Sequence, residues 1–528
     1  MTLVAAAAHA QVWTREAAVS TRAELTDNSR PGTGTTVPKE ADLVLTVEPS
    51  LRVAGVGPRL NLRMDASAGV VGSARGTVPT EVLPSVDAVV GAALVPRLLF
   101  LDASATVRQA ESNPFGVRVS DVVSENRHTT SEYRVAPLLR WRFAPRAELL
   151  ARHEEDFVVN TTAARGGDTS TDIHRQTSVL RLDRDPVPLG GGIELGRDDA
   201  RTTGAVLNTR TTIESGRAQL SYAFDSIDVV LGMIGGRERG TSDVLRFSEN
   251  LYGVALRWSP STRTDVTARA EHRFFGTGGR LNIRLRTPQA AFVLRAFREP
   301  TTATSAFSRV DTAADAALLA SSLAARSAPL PNVPTAVGAV PEVPLEGEEG
   351  ALEQQAPRSP FAPPRSVGEE LLGRRGFPME LPGVIDIASG YPQVESTLDV
   401  RWVLIGRRHS VTTNLYTRLL KQITQGSVGP LPPTDDDSRQ VGGALTVTRR
   451  LDPTTSLDFS LTGSRVTGLG TLAGTRTDEG AVALTMVRQL SPSTTFTTGV
   501  RYVRLRTNVA SVLSFEASTL LVGLSHRF

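Results

Sequence analysis

The chain has no cysteine, which removes disulfide frameworks, thiolate metal sites and cysteine nucleophiles at once. That absence suits an oxidising compartment such as the bacterial periplasm. No run of about 18 apolar residues occurs, so no transmembrane helix is expected. Aromatic residues are only 5% of the 528 residues and apolar residues 40%, lean for a protein built around buried cores. Lysine is nearly missing: Lys39 and Lys421 stand alone, and every other cation is arginine. A GC-rich coding sequence accounts for that skew, and so does a guanidinium-lined pore favouring anionic solutes. The formal net charge of +3 is too small to indicate a nucleic-acid partner.

What the chain does have is alternation. Arg59-Leu60-Asn61-Leu62-Arg63-Met64-Asp65 puts Leu60, Leu62 and Met64 on one face and Arg59, Arg63 and Asp65 on the other. Arg280, Arg284 and Arg286 alternate in the same way with Leu281, Ile283 and Leu285. Tyr133, Val135, Leu139, Trp141 and Phe143 oppose Arg134, Ala136, Arg140 and Arg142, with Leu138 out of step. Tyr252, Val254, Leu256 and Trp258 oppose Arg257, while Leu398, Val400, Trp402 and Leu404 oppose Asp399 and Arg401. A period of two is that of strands. The last stretch repeats it: Leu520, Val522, Leu524, His526 and Phe528 share one face. A strand closing on an aromatic residue is expected of a bacterial outer-membrane barrel, where it seals the wall and is read by the barrel assembly machinery.

Tight turns and longer connections take turns along the chain. Tight ones include Gly55–Pro58, Val95–Arg97, Ala144–Arg146, Asp225–Asp228, Ser259–Thr262, Thr287–Gln289, Asp452–Thr454 and Ser491–Thr494. Longer connections are expected over 28–41, 110–130, 160–171, 200–210 and 424–438. Short periplasmic turns alternating with longer outer loops, and no helices to cover an apolar face, specify an all-β transmembrane antiparallel barrel. The pattern gives about 22 strands, with 18–24 allowed, the first near 13–26 and the last near 519–528. Gly276–Gly279 looks too tight for an outer loop and sets the uncertainty in that count.

Three stretches stand apart. Ala8-His9-Ala10 fits the small-x-small pattern before a signal-peptidase cut, so residues 1–10 are expected to be the remnant of an export signal. Residues 11–299 and 396–528 would form the first and last parts of the barrel. Between them, 300–395 is an Ala/Pro-rich insert with a helix-compatible Ala313–Arg326 stretch. It is expected to leave from the outer side, either as a surface loop or as a constriction in the lumen.

Several stretches carry a family resemblance: Ala23–Asn28, Thr46–Val53, Glu271–Gly276, the insert before Leu404–Thr412, and the terminal strand. Their order and spacing resemble the outer-membrane β-barrel proteins of the PEP-CTERM/exosortase system of Gram-negative bacteria, whose genes accompany exopolysaccharide loci. The resemblance implies a large barrel serving that system in export. It lends no catalytic residue.

The residues themselves point to no reaction and no cofactor. Seven histidines are scattered without an HExxH or a paired-ligand spacing, and no GxSxG elbow occurs. His174 or His272 beside a serine on the barrel wall would be the hydrolase alternative. His153–Asp156 and Asp435–Asp437 are acidic clusters; the second is expected in a solvated outer loop, with divalent-cation binding as the alternative. Arginines expected on the lumen face are Arg59, Arg63, Arg140, Arg142, Arg257, Arg280, Arg284, Arg286 and Arg401. An arginine facing lipid at mid-membrane costs about 2–4 kcal/mol. Several together would exceed a typical stability of about 5–15 kcal/mol. They must face water or acidic partners such as Asp65, Glu271 and Asp399. Expected partners are membrane lipid, lipopolysaccharide, the assembly machinery and a polysaccharide. The favoured function is a channel or export conduit in the outer membrane, with a non-conducting anchor as the alternative; the oligomeric state is left open.

Overall fold

In the computed structural model the described residues are 12–29, 39–57, 59–111, 115, 127–161, 171–204, 208–242, 246–301, 393–423, 437–509, 512 and 514–528. The expected signal-peptide remnant at 1–10, the body of the Ala/Pro-rich insert with the helix expected over Ala313–Arg326, Asp435 and Asp436 lie outside them.

The described residues form 22 antiparallel strands. The first eleven are β1 (Val12–Thr26), β2 (Asp42–Val56), β3 (Leu60–Ser73), β4 (Glu81–Val95), β5 (Leu99–Glu111), β6 (Arg127–Ala144), β7 (Ala147–Thr161), β8 (Thr171–Arg184), β9 (Leu189–Gly204), β10 (Asn208–Phe224) and β11 (Val229–Ser242). The remainder are β12 (Arg246–Ser261), β13 (Thr264–Arg273), β14 (Gly276–Arg286), β15 (Ala290–Thr301), β16 (Gln393–Ile405), β17 (His409–Gln422), β18 (Ser438–Arg450), β19 (Thr455–Gly468), β20 (Arg476–Ser491), β21 (Thr494–Thr507) and β22 (Phe515–Arg527). Each pairs with the next, and β22 pairs back onto β1 from Ala18↔Arg527 to Thr26↔Thr519. The sheet is therefore a closed barrel.

Register carries one face around the wall. Leu25, Leu520, Val500, Leu484, Phe459, Val447, Val411 and Leu404 stand opposite one another in sequence across eight neighbouring strands. Such a row exists because residues paired across a ladder share a face. Turns that follow even-numbered strands are all short, two to four residues each. Four of them carry a bulge beside the turn, at Ala93/Val95, Arg142/Ala144, Trp258/Ser261 and Gln489/Ser491. Placed at the rim, these bulges let the chain reverse without shifting the alternation within the wall.

Two connections differ from expectation. Strands β9 and β10 run on to leave only residues 205–207 between them, where 200–210 was expected as a loop. The β13–β14 reversal falls on Phe274-Phe275, and Gly276–Gly279 belong to β14. Gly276 takes the left-handed conformation the reversal requires (φ 94°). Phe274 and Phe275 are buried with Phe247, Val394 and Ile423, and Phe247 stacks on Phe274 at 3.8 Å. Packing of the two aromatic rings fixes this turn together with Gly276.

Candidate functional site

The two faces of the wall differ in kind. On one side Leu220, Met233 and Val254 stand directly opposite one another and are 55%, 68% and 57% exposed. Trp141, Phe143, Tyr222, Phe224, Tyr252 and Trp258 share this face near its edges. A belt of this extent would not persist in water, and it matches the aromatic-bordered apolar band of an outer-membrane barrel. The protein is an integral outer-membrane β-barrel, and the apolar belt is its lipid side.

The other face is charged. Arg63 donates to Asp65 at 2.9 Å, and Arg52 on β2 reaches the same carboxylate. Arg140 pairs with Glu148 at 2.9 Å and Arg142 with it at 3.6 Å. Arg257 lies 3.8 Å from Asp265, which stands opposite Arg284 in the ladder. Arg280 meets Glu299 at 2.9 Å and Arg401 meets Asp399 at 2.9 Å. Arg286 continues the row at the exposed end of β14. Arg59 is placed differently. It precedes β3 in the turn, exposed, with its carbonyl accepting the Ala93 N–H. Pairing of the two strands stops at Val56↔Asn61, so Arg59 belongs to the rim and not to the lumen wall.

Larger networks lie among charged residues outside the expected lumen row. Arg134 binds Asp156 at 2.6 Å and Glu132 at 3.0 Å, with Glu154 at 3.6 Å. Glu154 also takes Arg152, and on the next strand Arg175 grips Asp198 through two hydrogen bonds of 2.8 and 2.6 Å. Farther round, Arg217 bridges Glu194 (3.3 Å) and Glu238 (3.1 Å), and Glu238 accepts Arg273 at 2.7 Å. Arg269 pairs with Glu271, and Arg418 with Glu395 at 3.0 Å. A signal for these was present. Glu132/Arg134, Arg152/Glu154, Arg181/Asp183, Arg269/Glu271 and Asp399/Arg401 are opposite charges two residues apart, which a strand places on one face. The inner wall is thus a mosaic of paired charges and not an arginine surface. Its attraction for anions is correspondingly weaker than the arginine count alone implies.

Leu520, Val522, Leu524 and Phe528 lie on the lipid face, and His526 packs edge-on against Phe528 at 4.8 Å. The Phe528 N–H donates to the Ala17 carbonyl at 2.9 Å, which ties the end of β22 to β1. His272 also faces outward, stacked on Tyr252 at 5.0 Å. His174 stacks on Phe157 at 4.4 Å and bonds to Glu155 at 2.6 Å. His153–Asp156 lies within β7, so alternation sends His153 and Glu155 outward and Glu154 and Asp156 inward. Among the described residues, no group of three or more His, Cys, Asp or Glu side chains is placed to hold a metal ion.

Neither a protein-family model nor a curated protein sequence matches the chain. Among solved structures, it is similar to the siderophore receptor PirA from Pseudomonas aeruginosa, at 9% identity and TM-score 0.44, covering 97% of this chain and 80% of that one. It is also similar to the FrpB iron transporter from Neisseria meningitidis (9%, TM-score 0.48, 97% and 81%). The siderophore receptor PiuA from Acinetobacter baumannii is a third (7%, TM-score 0.46, 97% and 82%).

Proposed function

We propose that the barrel is a passive conduit that carries a polar solute across the outer membrane. The observation that carries this reading is the inner wall of paired charges running through β2–β3, β6–β11, β13 and β16–β17. Such a wall is compatible with a hydrated lumen and holds no strong field of either sign. The resemblance to barrels of exopolysaccharide loci supports a polysaccharide as the solute, and a polyhydroxylated chain suits alternating donors and acceptors. The test is conductance in a planar bilayer. Stable steps that scale with salt, with weak ion selectivity, are expected, and an anionic polysaccharide such as alginate should interrupt the current. Silence from a folded, heat-modifiable sample would overturn the conduit reading.

A second reading is a non-conducting anchor at the cell surface. It is favoured by the burial of Arg401, Arg418 and Glu395, at 2%, 2% and 4% exposure, because that sector of the inner wall is closed to water. Bilayer silence with retained binding of surface polysaccharide would support it.

A further inference from the structure

The lipid face carries a group of polar side chains that neither transport nor anchoring needs. On β7 the outward residues run Leu149, Ala151, His153, Glu155, Phe157, and on β8 they run Leu182, Leu180, Ser178, Gln176, His174. Phe157, Leu180 and Leu182 are 43%, 44% and 41% exposed, which fixes this side as the lipid side. The neighbouring strand β6 brackets the group: Trp141 stands opposite Leu149, and Tyr133 opposite Phe157. His153 and Glu155 therefore sit between the two aromatic borders, within the apolar belt. His153 is six residues above the start of β7, about 15 Å up a wall whose strands tilt by about 40°. Ionisable groups at such a depth are costly and mark function by default.

Their arrangement is ordered. His153 Nδ1 lies 2.8 Å from Ser178 Oγ, and His153 Nε2 lies 3.1 Å from Glu155 Oε1. Glu155 is held in turn by His174 Nε2 at 2.6 Å and by the Gln176 amide, which donates at 2.9 Å. A carboxylate can only accept, so His153 presents Nε2–H to Glu155 and keeps the Nδ1 lone pair for the Ser178 hydroxyl proton. Nucleophile, base and orienting group thus follow one another in hydrogen-bond reach. Below them a groove of about 530 Å³ opens on the lipid side, lined by Leu99, Leu139, Leu180 and Leu195, with His153, Ser178 and Arg197 also at its wall. Arg197 stands opposite Ser178 in the ladder and is 58% exposed, paired with Glu214 at 3.5 Å.

We propose that Ser178, His153 and Glu155 form a lipid-facing esterase site that hydrolyses the acyl ester of an anionic membrane lipid. The groove takes the acyl chain directly from the leaflet. Ser178 Oγ attacks the ester carbonyl carbon as its proton passes to His153 Nδ1. Arg197 donates to the oxyanion that develops, because backbone N–H groups within the ladder are already engaged. The carbon–oxygen bond to the lipid alcohol then breaks, and His153 returns the proton to that oxygen. Water attacks the acyl-serine, gives its proton to His153, and releases the fatty acid as Ser178 recovers its own proton. Glu155 positions the ring and stabilises the imidazolium form in both halves; it does not touch the reacting atoms.

Full-length protein folded in mixed micelles is given phosphatidylglycerol in one arm and lipid A in the other, and fatty-acid release is followed. The shared ester chemistry predicts release in at least one arm, and the arm that responds identifies the lipid. Hexadecylsulfonyl fluoride should form an adduct on Ser178, located by mass spectrometry. Ser178→Ala, a small apolar change on a lipid-facing site that leaves folding intact, should abolish release and labelling. His153→Ala should lower kcat about 10²–10⁴-fold. Glu155→Gln should lower kcat without changing KM. His272→Ala, on the far side of Tyr252, should change nothing, and the heat-modifiable band should report folding for every variant. Release that survives Ser178→Ala overturns the proposal. So does the wild-type chain giving neither adduct nor release with either lipid.

Discussion

Placing an arginine at Leu220 tests which side of the wall meets lipid. Leu220 is four residues from Phe224 at the periplasmic end of β10. At about 3.3 Å per residue and about 40° tilt it lies about 10 Å above that border, near the middle of a band about 25 Å tall. A guanidinium there costs about 2–4 kcal/mol. That is about 30- to 700-fold in the ratio of folded to unfolded protein, at about 1.4 kcal/mol per decade. Gln219→Arg is the matched control. Gln219 points inward, where its amide donates to Asp183 at 2.8 Å, so an arginine meets a carboxylate. Its expected cost is under about 1 kcal/mol. Reversible urea unfolding from phospholipid vesicles, followed by tryptophan emission, reads both variants. Equal costs, or a neutral Leu220→Arg, would refute the assignment of faces and the transport reading with it.

Three further outcomes follow from the wall. Glu238→Gln removes the carboxylate shared by Arg217 and Arg273 where exposure is 1%, and should cost about 3–5 kcal/mol in the same unfolding assay. Gly236→Ala would put a Cβ 2.2 Å from the Gly216 carbonyl oxygen, a backbone atom that cannot step aside, so a loss of about 1–3 kcal/mol is expected and a neutral result would contradict the β10–β11 spacing. In the β18–β19 turn, the Thr454 N–H and hydroxyl hold the Asp452 carboxyl below its usual range. A depressed folded pKa stabilises above the unfolded value of about 3.9 and is lost as pH falls. The amide protection factor at Thr454 should therefore drop only below about pH 4, and Asp452→Ala should remove that dependence.

The fold was legible because lipid reads the sequence harshly. An apolar side chain is required at every second position, so Tyr252–Trp258 or Arg280–Arg286 announces a strand without help from tertiary packing. Turn positions were harder where buried rings, more than turn residues, set the bend. Phe274-Phe275 reverses the chain because both rings are buried, and nothing local in that pair signals a bend. Arg59 looked like one more member of an alternating row, since only the end of pairing at Asn61 shows where the strand begins. The inner wall was half legible: Asp65 and Asp399 stand two residues from Arg63 and Arg401 and can be read as their partners, whereas cross-strand pairs such as Arg134–Asp156 and Arg217–Glu238 depend on the register of the ladders. The polar group on β7 and β8 was hidden for a different reason. His153 and Ser178 lie twenty-five residues apart, and only the register of the β7–β8 ladder brings them together.

Closure of the ring through β1 and β22 has a mechanical consequence. Every strand is clasped from both sides, so none can peel away without rupturing two ladders at once. Loss of structure must then be a single large event with a high barrier. Persistence of the assembled protein is set by how rarely that event occurs, more than by its equilibrium stability.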